Sequence, residues 1–437
     1  MSEYKIYPGH EIFPIKTDSA CMLKWSWSTI NLETAETSSC HRTTAVPIDP
    51  DNFKNFHNHP SKIQDREHML NGEWPDSGRG CEYCKNVEDY GGTSDRQLWL
   101  SRSHGANKIP PELFDQPRAT HITPTILEVY FNKTCNMSCV YCNPAVSSKW
   151  NEEVSKFGEI KIKDFSITEH HTDKSRYKKM VQGLWDYLIE DDRYKTIQHY
   201  HLLGGESLLQ KELDESINFW KEHPNPSLTF NMISNIMLPH HLFVEKIQKF
   251  QDLVAANAIY QLELTASLDC WGDPQKYVRH GIDLDVWTKN FEYLLDKPWI
   301  LLSIHSCLNA LTIKTMPDML EKILSWNLKR PTGRLVELSF DFPVGEVVGV
   351  DGKKNGLHPA VFGPGVFDND FQRILQLLPE NNEHQKSLKQ NMQGSADFIK
   401  NSIKDPERIQ ILKEYLTELD RRRNTNWQVV FPWLTEF

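Results

Sequence analysis

Three cysteines within a single short run constrain this chain more than any other feature. Cys135, Cys139 and Cys142 stand in Leu127-Glu-Val-Tyr-Phe-Asn-Lys-Thr-Cys135-Asn-Met-Ser-Cys139-Val-Tyr-Cys142, directly after a segment that reads as a buried strand. Thiolates at this C-x3-C-x2-C spacing can hold three irons of a cubane cluster and leave the fourth without a protein ligand. An open metal position is what catalysis needs, whereas structural sites are usually closed by four ligands. A zinc knuckle, or three reduced cysteines of the core, is the alternative reading of the same residues.

Bulk properties narrow the setting. A chain of 437 residues suggests two or three domains. Its 39% hydrophobic and 25% charged residues are those of an ordinary globular protein. The net charge of −10, from 49 basic and 59 acidic side chains, argues against general nucleic-acid binding and against attraction to an anionic membrane. The amino terminus has no apolar core of a signal peptide, and no run of apolar residues is long enough for a membrane span. Nine cysteines, an odd number grouped at metal spacings, speak against disulfides and for a reducing, cytoplasmic compartment.

From about residue 121 onward, short β-rich runs alternate with amphipathic helical patterns. Strands are expected at 126–132, 197–203, 228–234, 260–267, 300–306 and 335–342. Helices are expected at 176–190, 242–256, 287–295 and 317–326. Such alternation means βαβ units and a parallel sheet with helical cover. Six strands suit an open or partly closed barrel, a partial (β/α)6 core over residues 121–345. Ligands bind at the carboxyl ends of strands in such sheets. That end carries the cysteine loop, Gly204-Gly205-Glu206, Asp269-Cys270 and Cys307. Residues 1–120, rich in His, Pro, Asn and Cys, read as a separate small module. A carboxyl-terminal extension, 346–437, holds a Gly/Pro-rich connection, helices near 366–378 and 407–420, and a final apolar segment around Trp427 and Trp433 expected to dock on the body.

The cysteine loop, with Tyr141 before its third cysteine, resembles the signature of radical S-adenosylmethionine (radical SAM) enzymes. Leu202-Leu-Gly204-Gly205-Glu206-Ser207-Leu-Leu209 is similar to that family's second-strand Gly-Gly-Glu motif, with Ser207 where proline is more usual. Ile233-Ser234-Asn235 resembles its third-strand element, and Ser267-Leu-Asp269-Cys270 with Tyr277-Val-Arg279 its fourth. The resemblance implies a [4Fe–4S] cluster on Cys135, Cys139 and Cys142, with S-adenosylmethionine on the open iron. Gly204, Gly205 and Glu206 would hold its methionine end, and Ser234, Asn235 and Arg279 would lie near the ribose or the substrate. Reduction by a donor such as flavodoxin or ferredoxin would then release a 5′-deoxyadenosyl radical.

Four further cysteines, Cys21, Cys40 and the pair Cys81-Glu-Tyr-Cys84, suffice for a closed four-thiolate site. Their surroundings resemble the auxiliary-cluster module of "twitch" proteins, relatives of the SPASM group, which implies a second [4Fe–4S] cluster. Structural zinc suits the same ligands, and His41, His57, His59 and His68 are nearby candidates. Cys270 stands where the family pattern has glycine. There it is either a hydrogen-atom donor to a substrate radical or a small buried residue. Cys307 is a second such candidate. Asp269, His305 and Glu128 are titratable groups that could orient or deprotonate a substrate.

The expected activity is oxidation, cross-linking or epimerisation of a peptide after hydrogen abstraction. A sugar or other small molecule is the alternative substrate. A non-catalytic zinc- or iron-binding interaction protein is the remote alternative, and nothing suggests a methylase.

Overall fold

The computed structural model describes residues 13–89, 92–101, 109–116, 118, 120–331, 334–342 and 356–437. Residues 1–12, and 343–355 where the Gly/Pro-rich connection begins, lie outside them. In chain order the strands are β1 (Trp27–Asn31), β2 (Glu36–Ser38), β3 (Val46–Pro47), β4 (Ile126–Tyr130), β5 (Ile160–Ile162), β6 (Phe165–Ile167), β7 (His199–Leu203), β8 (Thr229–Ser234), β9 (Gln261–Ser267), β10 (Ile300–Cys307) and β11 (Glu337–Asp341). Nine of them form one sheet in the order β3-β2-β1-β4-β7-β8-β9-β10-β11, while β5 and β6 make a separate hairpin. From β1 through β4 to β11 every neighbour is parallel; β2 and β3 add an antiparallel fringe.

Each of the six strands expected from the β-rich runs is present, with ends that differ by a few residues at most. Between them run the helices Lys174–Ile189, Lys211–Glu222, His240–Ala255, Leu284–Leu294 and Met316–Lys329. Several begin at side-chain caps: Asp173 accepts from the N–H groups of Ser175 and Arg176, and Asp283 from those of Asp285 and Val286. The result is a mixed α/β protein built on a large, mainly parallel sheet.

The faces of the sheet differ. Leu127, Val129, Tyr200, Leu202, Phe230, Met232, Leu264 and Ile304 point into the main core that the helices share. Alternation along the strands sends Thr29, Glu128, His201, Asn231 and Glu263 to the opposite face. These five stand in register across adjacent strands, forming one polar row. A sheet covered by helices on both faces would bury apolar residues on both; this one has a polar inner face.

The amino-terminal segment joins the same sheet through β1, five residues in register with β4. Trp27 and Ile126 at the start of this pair belong to a second, smaller core with Met22, Trp25 and Leu113. On the far side, the Arg42 guanidinium, beyond β2, donates to Asp341 at the end of β11 at 3.3 Å. This contact brings the two edges of the sheet together, so the sheet curls around its polar face. The helix Pro406–Arg423 packs on the main core through Ile411, Leu412, Tyr415 and Leu419. Beyond it Phe431 sits edge-on to Tyr277, and Trp433 contacts Phe362 and Phe367.

Candidate active site and metal centre

Past Tyr130 the chain leaves the sheet and runs alongside the end of β7. Gly205 N–H donates to the Asn132 carbonyl at 2.9 Å, and Glu206 N–H to that of Thr134 at 2.7 Å. A Cβ on Gly205 would come within 2.5 Å of the Thr134 carbonyl oxygen, and one on Gly204 within 2.4 Å of that of Asn132. Gly204 also has a φ of 144°. Glycine is needed here so that two backbones can touch. The close approach is therefore to the cysteine loop itself.

Within the loop, Ser138 N–H donates to the His280 carbonyl and Val140 N–H to that of Val278, at 3.0 and 2.7 Å. Trp150 Nε1 donates to the Cys139 carbonyl, and Tyr415 Oη to that of Val140, both at 2.7 Å. The loop is thus held through its backbone, by partners from several distant segments. All three cysteines are free and partly exposed. Burial pushes the Cys135 thiol up to about 12, with Cys139 adding to it. Burial likewise raises the Cys142 thiol well above its ordinary value, followed by repulsion from Cys139 and Cys135. The three thiols therefore share one environment.

Glu206, 2% exposed, ties β7 to β8. Its Oε1 accepts from the Ser234 hydroxyl at 2.5 Å and from Leu208 N–H at 3.0 Å, and its Oε2 from Asn235 N–H at 2.6 Å. Asn235 Nδ2 then donates to Asn136 Oδ1 at 2.8 Å, which returns the chain of contacts to the cysteine loop. Burial leaves the Glu206 carboxyl above its ordinary range in spite of these donors.

The fourth-strand residues form a second hub. Fully buried Asp269 accepts two bonds from Arg279, at 2.8 and 2.9 Å, one from Tyr141 Oη at 2.7 Å, and one from Cys307 N–H at 2.9 Å. With four donors on two oxygens, its carboxylate is committed to holding neighbours. Cys270 is also fully buried, and its thiol donates to Gln275 Oε1 at 3.5 Å. Cys307 has different surroundings: burial pushes its thiol up to about 12, and Asp269, Arg279, Cys139 and Tyr141 are the groups around it. Glu128 and His305 face inward on the sheet, bonded to Thr29 at 2.9 Å and Ser339 at 3.0 Å respectively.

Cys21, Cys40, Cys81 and Cys84 all line one cavity, together with Lys24, Arg42, Asp95 and Arg96 among others. Burial raises Cys21, followed by repulsion from Cys40, Cys84 and, more weakly, Cys81. Backbone N–H groups of Arg42 and Thr43 point at the Cys40 sulfur, and that of Arg96 at Cys84. Cations surround the cavity: Lys24 pairs with Asp65 at 2.7 Å and Arg96 with Glu88 at 2.5 Å. Lys62, 1% exposed, donates to Ser28, Thr37 and the Ser38 carbonyl. Among the described residues, no histidine is part of the lining. His57 uses both ring nitrogens on Ser28 and Trp25, His59 caps the helix Pro60–Leu70, and His41 meets Asp95 at 3.3 Å. His68 lies 4.0 Å from Asp76.

Among the described residues, no three His, Cys, Asp or Glu side chains draw together as ligands of one metal ion do. A cubane cluster does not require that, because each cysteine meets a different iron. Four thiols around one cavity, with amide donors to sulfur and surrounding cations, fit such an anionic group.

No protein-family model matches the chain. No curated protein matches it either. Among solved structures, that of TYW1 with a lysine-pyruvate adduct bound is similar over 60% of this chain and 72% of its own, at 19% identity and a TM-score of 0.28. So slight a likeness adds nothing to the residues themselves. No helix among the described residues is long and apolar enough to cross a membrane.

Two histidines, one of them His280 whose carbonyl supports the loop, make stability depend on pH. Burial, with Arg423 and Lys149 nearby, lowers the His280 imidazole to about 4. Burial alone lowers His358 to about 4. Both bind protons more readily in the unfolded chain, near the ordinary pKa of about 6.5. Their contribution to stability is therefore complete above that pH and is lost as pH falls towards 4. Denaturant unfolding at pH 5 is expected to show stability lower than at pH 7.5 by about 1 kcal/mol per histidine, after allowance for solvent screening. A His280→Gln, His358→Gln double variant is expected to lose much of that difference; an unchanged difference would place it elsewhere.

Proposed function

We propose that the chain is a radical SAM enzyme that abstracts a hydrogen atom from a substrate carbon, with β4 and β7 to β11 serving as a partial barrel. One observation carries this reading. Cys135, Cys139 and Cys142 stand together in the loop at the carboxyl end of β4, and the ends of β7, β8 and β9 are bonded to that loop. Those three cysteines would hold a [4Fe–4S] cluster. The chemistry such a cluster supplies with S-adenosylmethionine is reductive formation of a 5′-deoxyadenosyl radical, which takes the hydrogen atom.

The chain's own residues orient the site. Glu206 acts through Ser234 and Asn235, whose contacts set the position of Asn136 beside Cys135. Asp269 and Arg279 fix Tyr141 and the backbone at Cys307, a positioning role in place of acid–base work. Where product formation returns a hydrogen atom to the substrate, Cys307 is better placed than Cys270, which lies sealed behind Gln275. The four-cysteine cavity is proposed to hold an auxiliary [4Fe–4S] cluster. A peptide is the proposed substrate, acted on in a cytoplasmic setting with flavodoxin or ferredoxin as electron donor.

The test is anaerobic reconstitution, followed by assay of iron, sulfide and zinc and of 5′-deoxyadenosine formed with dithionite and S-adenosylmethionine. About eight irons, as two cubane clusters, and formation of 5′-deoxyadenosine are expected. Zinc in place of iron at both sites, with no cleavage, would overturn the proposal.

A further inference from the structure

The polar row across the inner face of the sheet has no part in holding the cysteine loop. From β1 to β9 it reads Thr29, Glu128, His201, Asn231 and Glu263, each in register with the next. At one end Thr29 Oγ1 donates to Glu128 Oε1 at 2.9 Å, and His201 Nδ1 lies 3.9 Å from Glu128 Oε2. The other end carries an amide and a carboxylate. Asn231 is 8% exposed, and among the described residues its side-chain amide has no hydrogen-bond partner. An amide so placed is left for solvent or a ligand to satisfy.

Glu263, beside it on β9, is partly buried, and among the described residues its carboxylate has neither a hydrogen bond nor an ion pair. Further along the same strand and face, Ser267 is 7% exposed with its hydroxyl likewise unpartnered among the described residues. The guanidinium groups nearest the carboxyl end of this face are already engaged, Arg279 with Asp269 and Arg42 with Asp95 and Asp341. Adjacent strands lie about 4.8 Å apart. Asn231 and Glu263 are thus side-by-side neighbours on one face, and the carboxylate there has no cation paired with it among the described residues.

We infer that this pair binds a primary ammonium group of the substrate, Glu263 by charge and Asn231 through its amide oxygen. An anionic group would meet an uncompensated carboxylate, and an apolar one would leave both side chains without partners. Ammonium groups reach such a site from two sources, an amino sugar or a lysine side chain. The inference rests on the proposed radical chemistry for the reaction of the bound amine, while the binding itself can be measured without turnover.

Calorimetric titration of the reconstituted full chain with glucosamine and with Nα-acetyl-lysinamide tests it, glucose and Nα-acetyl-norleucinamide serving as neutral counterparts. At least one amine is expected to bind about tenfold or more tightly than its counterpart, and the amine that does so identifies the source. Glu263→Gln, nearly isosteric at a partly exposed position, is expected to abolish that preference, and Asn231→Ala to weaken it. Amines that bind no better than their neutral counterparts, or a preference unchanged in Glu263→Gln, would overturn the inference. Because heat of binding is read, a failure here is distinct from a failure to cleave S-adenosylmethionine.

Discussion

Cys139→Ala is expected to yield no 5′-deoxyadenosine from S-adenosylmethionine, while about four irons remain bound at the amino-terminal cysteines as one cubane cluster. The loss comes from removing one of three iron ligands in a site that has none to spare. The loop itself is expected to survive, because its anchors are backbone groups: the Cys139 carbonyl accepts from Trp150, and the flanking residues bond to His280, Val278 and Tyr415. Product chromatography and iron assay on the same preparation check both halves. Undiminished 5′-deoxyadenosine would remove the catalytic cluster from Cys139, and loss of all iron would mean that the four-cysteine cavity does not bind its cluster independently.

The second large effect is at Asp269. Asp269→Ala leaves Arg279 buried without its carboxylate, and breaking such a pair destabilises by about 3–5 kcal/mol. Tyr141 and the Cys307 N–H lose an acceptor in the same step. The double variant Asp269→Ala, Arg279→Met removes both charges and is expected to recover part of the loss. Denaturant unfolding of the two variants measures the coupling. A residue serving as a catalytic base alone would lose activity at unchanged stability, and that outcome would return Asp269 to acid–base chemistry.

Much of the fold was legible along the chain. The six parallel strands were readable because each is an apolar run bounded by turn residues and separated by helical periodicity. The helices 176–190 and 242–256 came within two residues of Lys174–Ile189 and His240–Ala255. Strand β1 was not readable as part of that sheet. Trp27–Asn31 is a short stretch whose partner, β4, comes almost a hundred residues later, and nothing local marks the pairing. The helix Glu383–Lys400 was missed for another reason: it buries few residues, so its apolar stripe is faint. The hairpin of β5 and β6 turns on Lys163 at a φ of 51°, where a glycine would have been the usual signal.

The candidate site divides in the same way. Cysteine spacing alone picked out both thiol groups, since ligand type and separation are properties of the chain. The motif order also selected Glu206, Ser234, Asn235, Asp269 and Arg279. Their partners were beyond reach of the sequence, because a carboxylate does not announce which donors will surround it. Tertiary structure committed Asp269 to Arg279 and Tyr141, sealed Cys270, and brought Cys307 beside Cys139. It also gathered Cys21, Cys40, Cys81 and Cys84 around one cavity and excluded the nearby histidines from its lining. By itself the sequence determined which chemistry-bearing residues exist and at which strand ends they stand, since periodicity and spacing are local. Which of them remain free to meet a ligand was decided by the curl of the sheet, because burial and pairing depend on contacts between segments far apart in the chain.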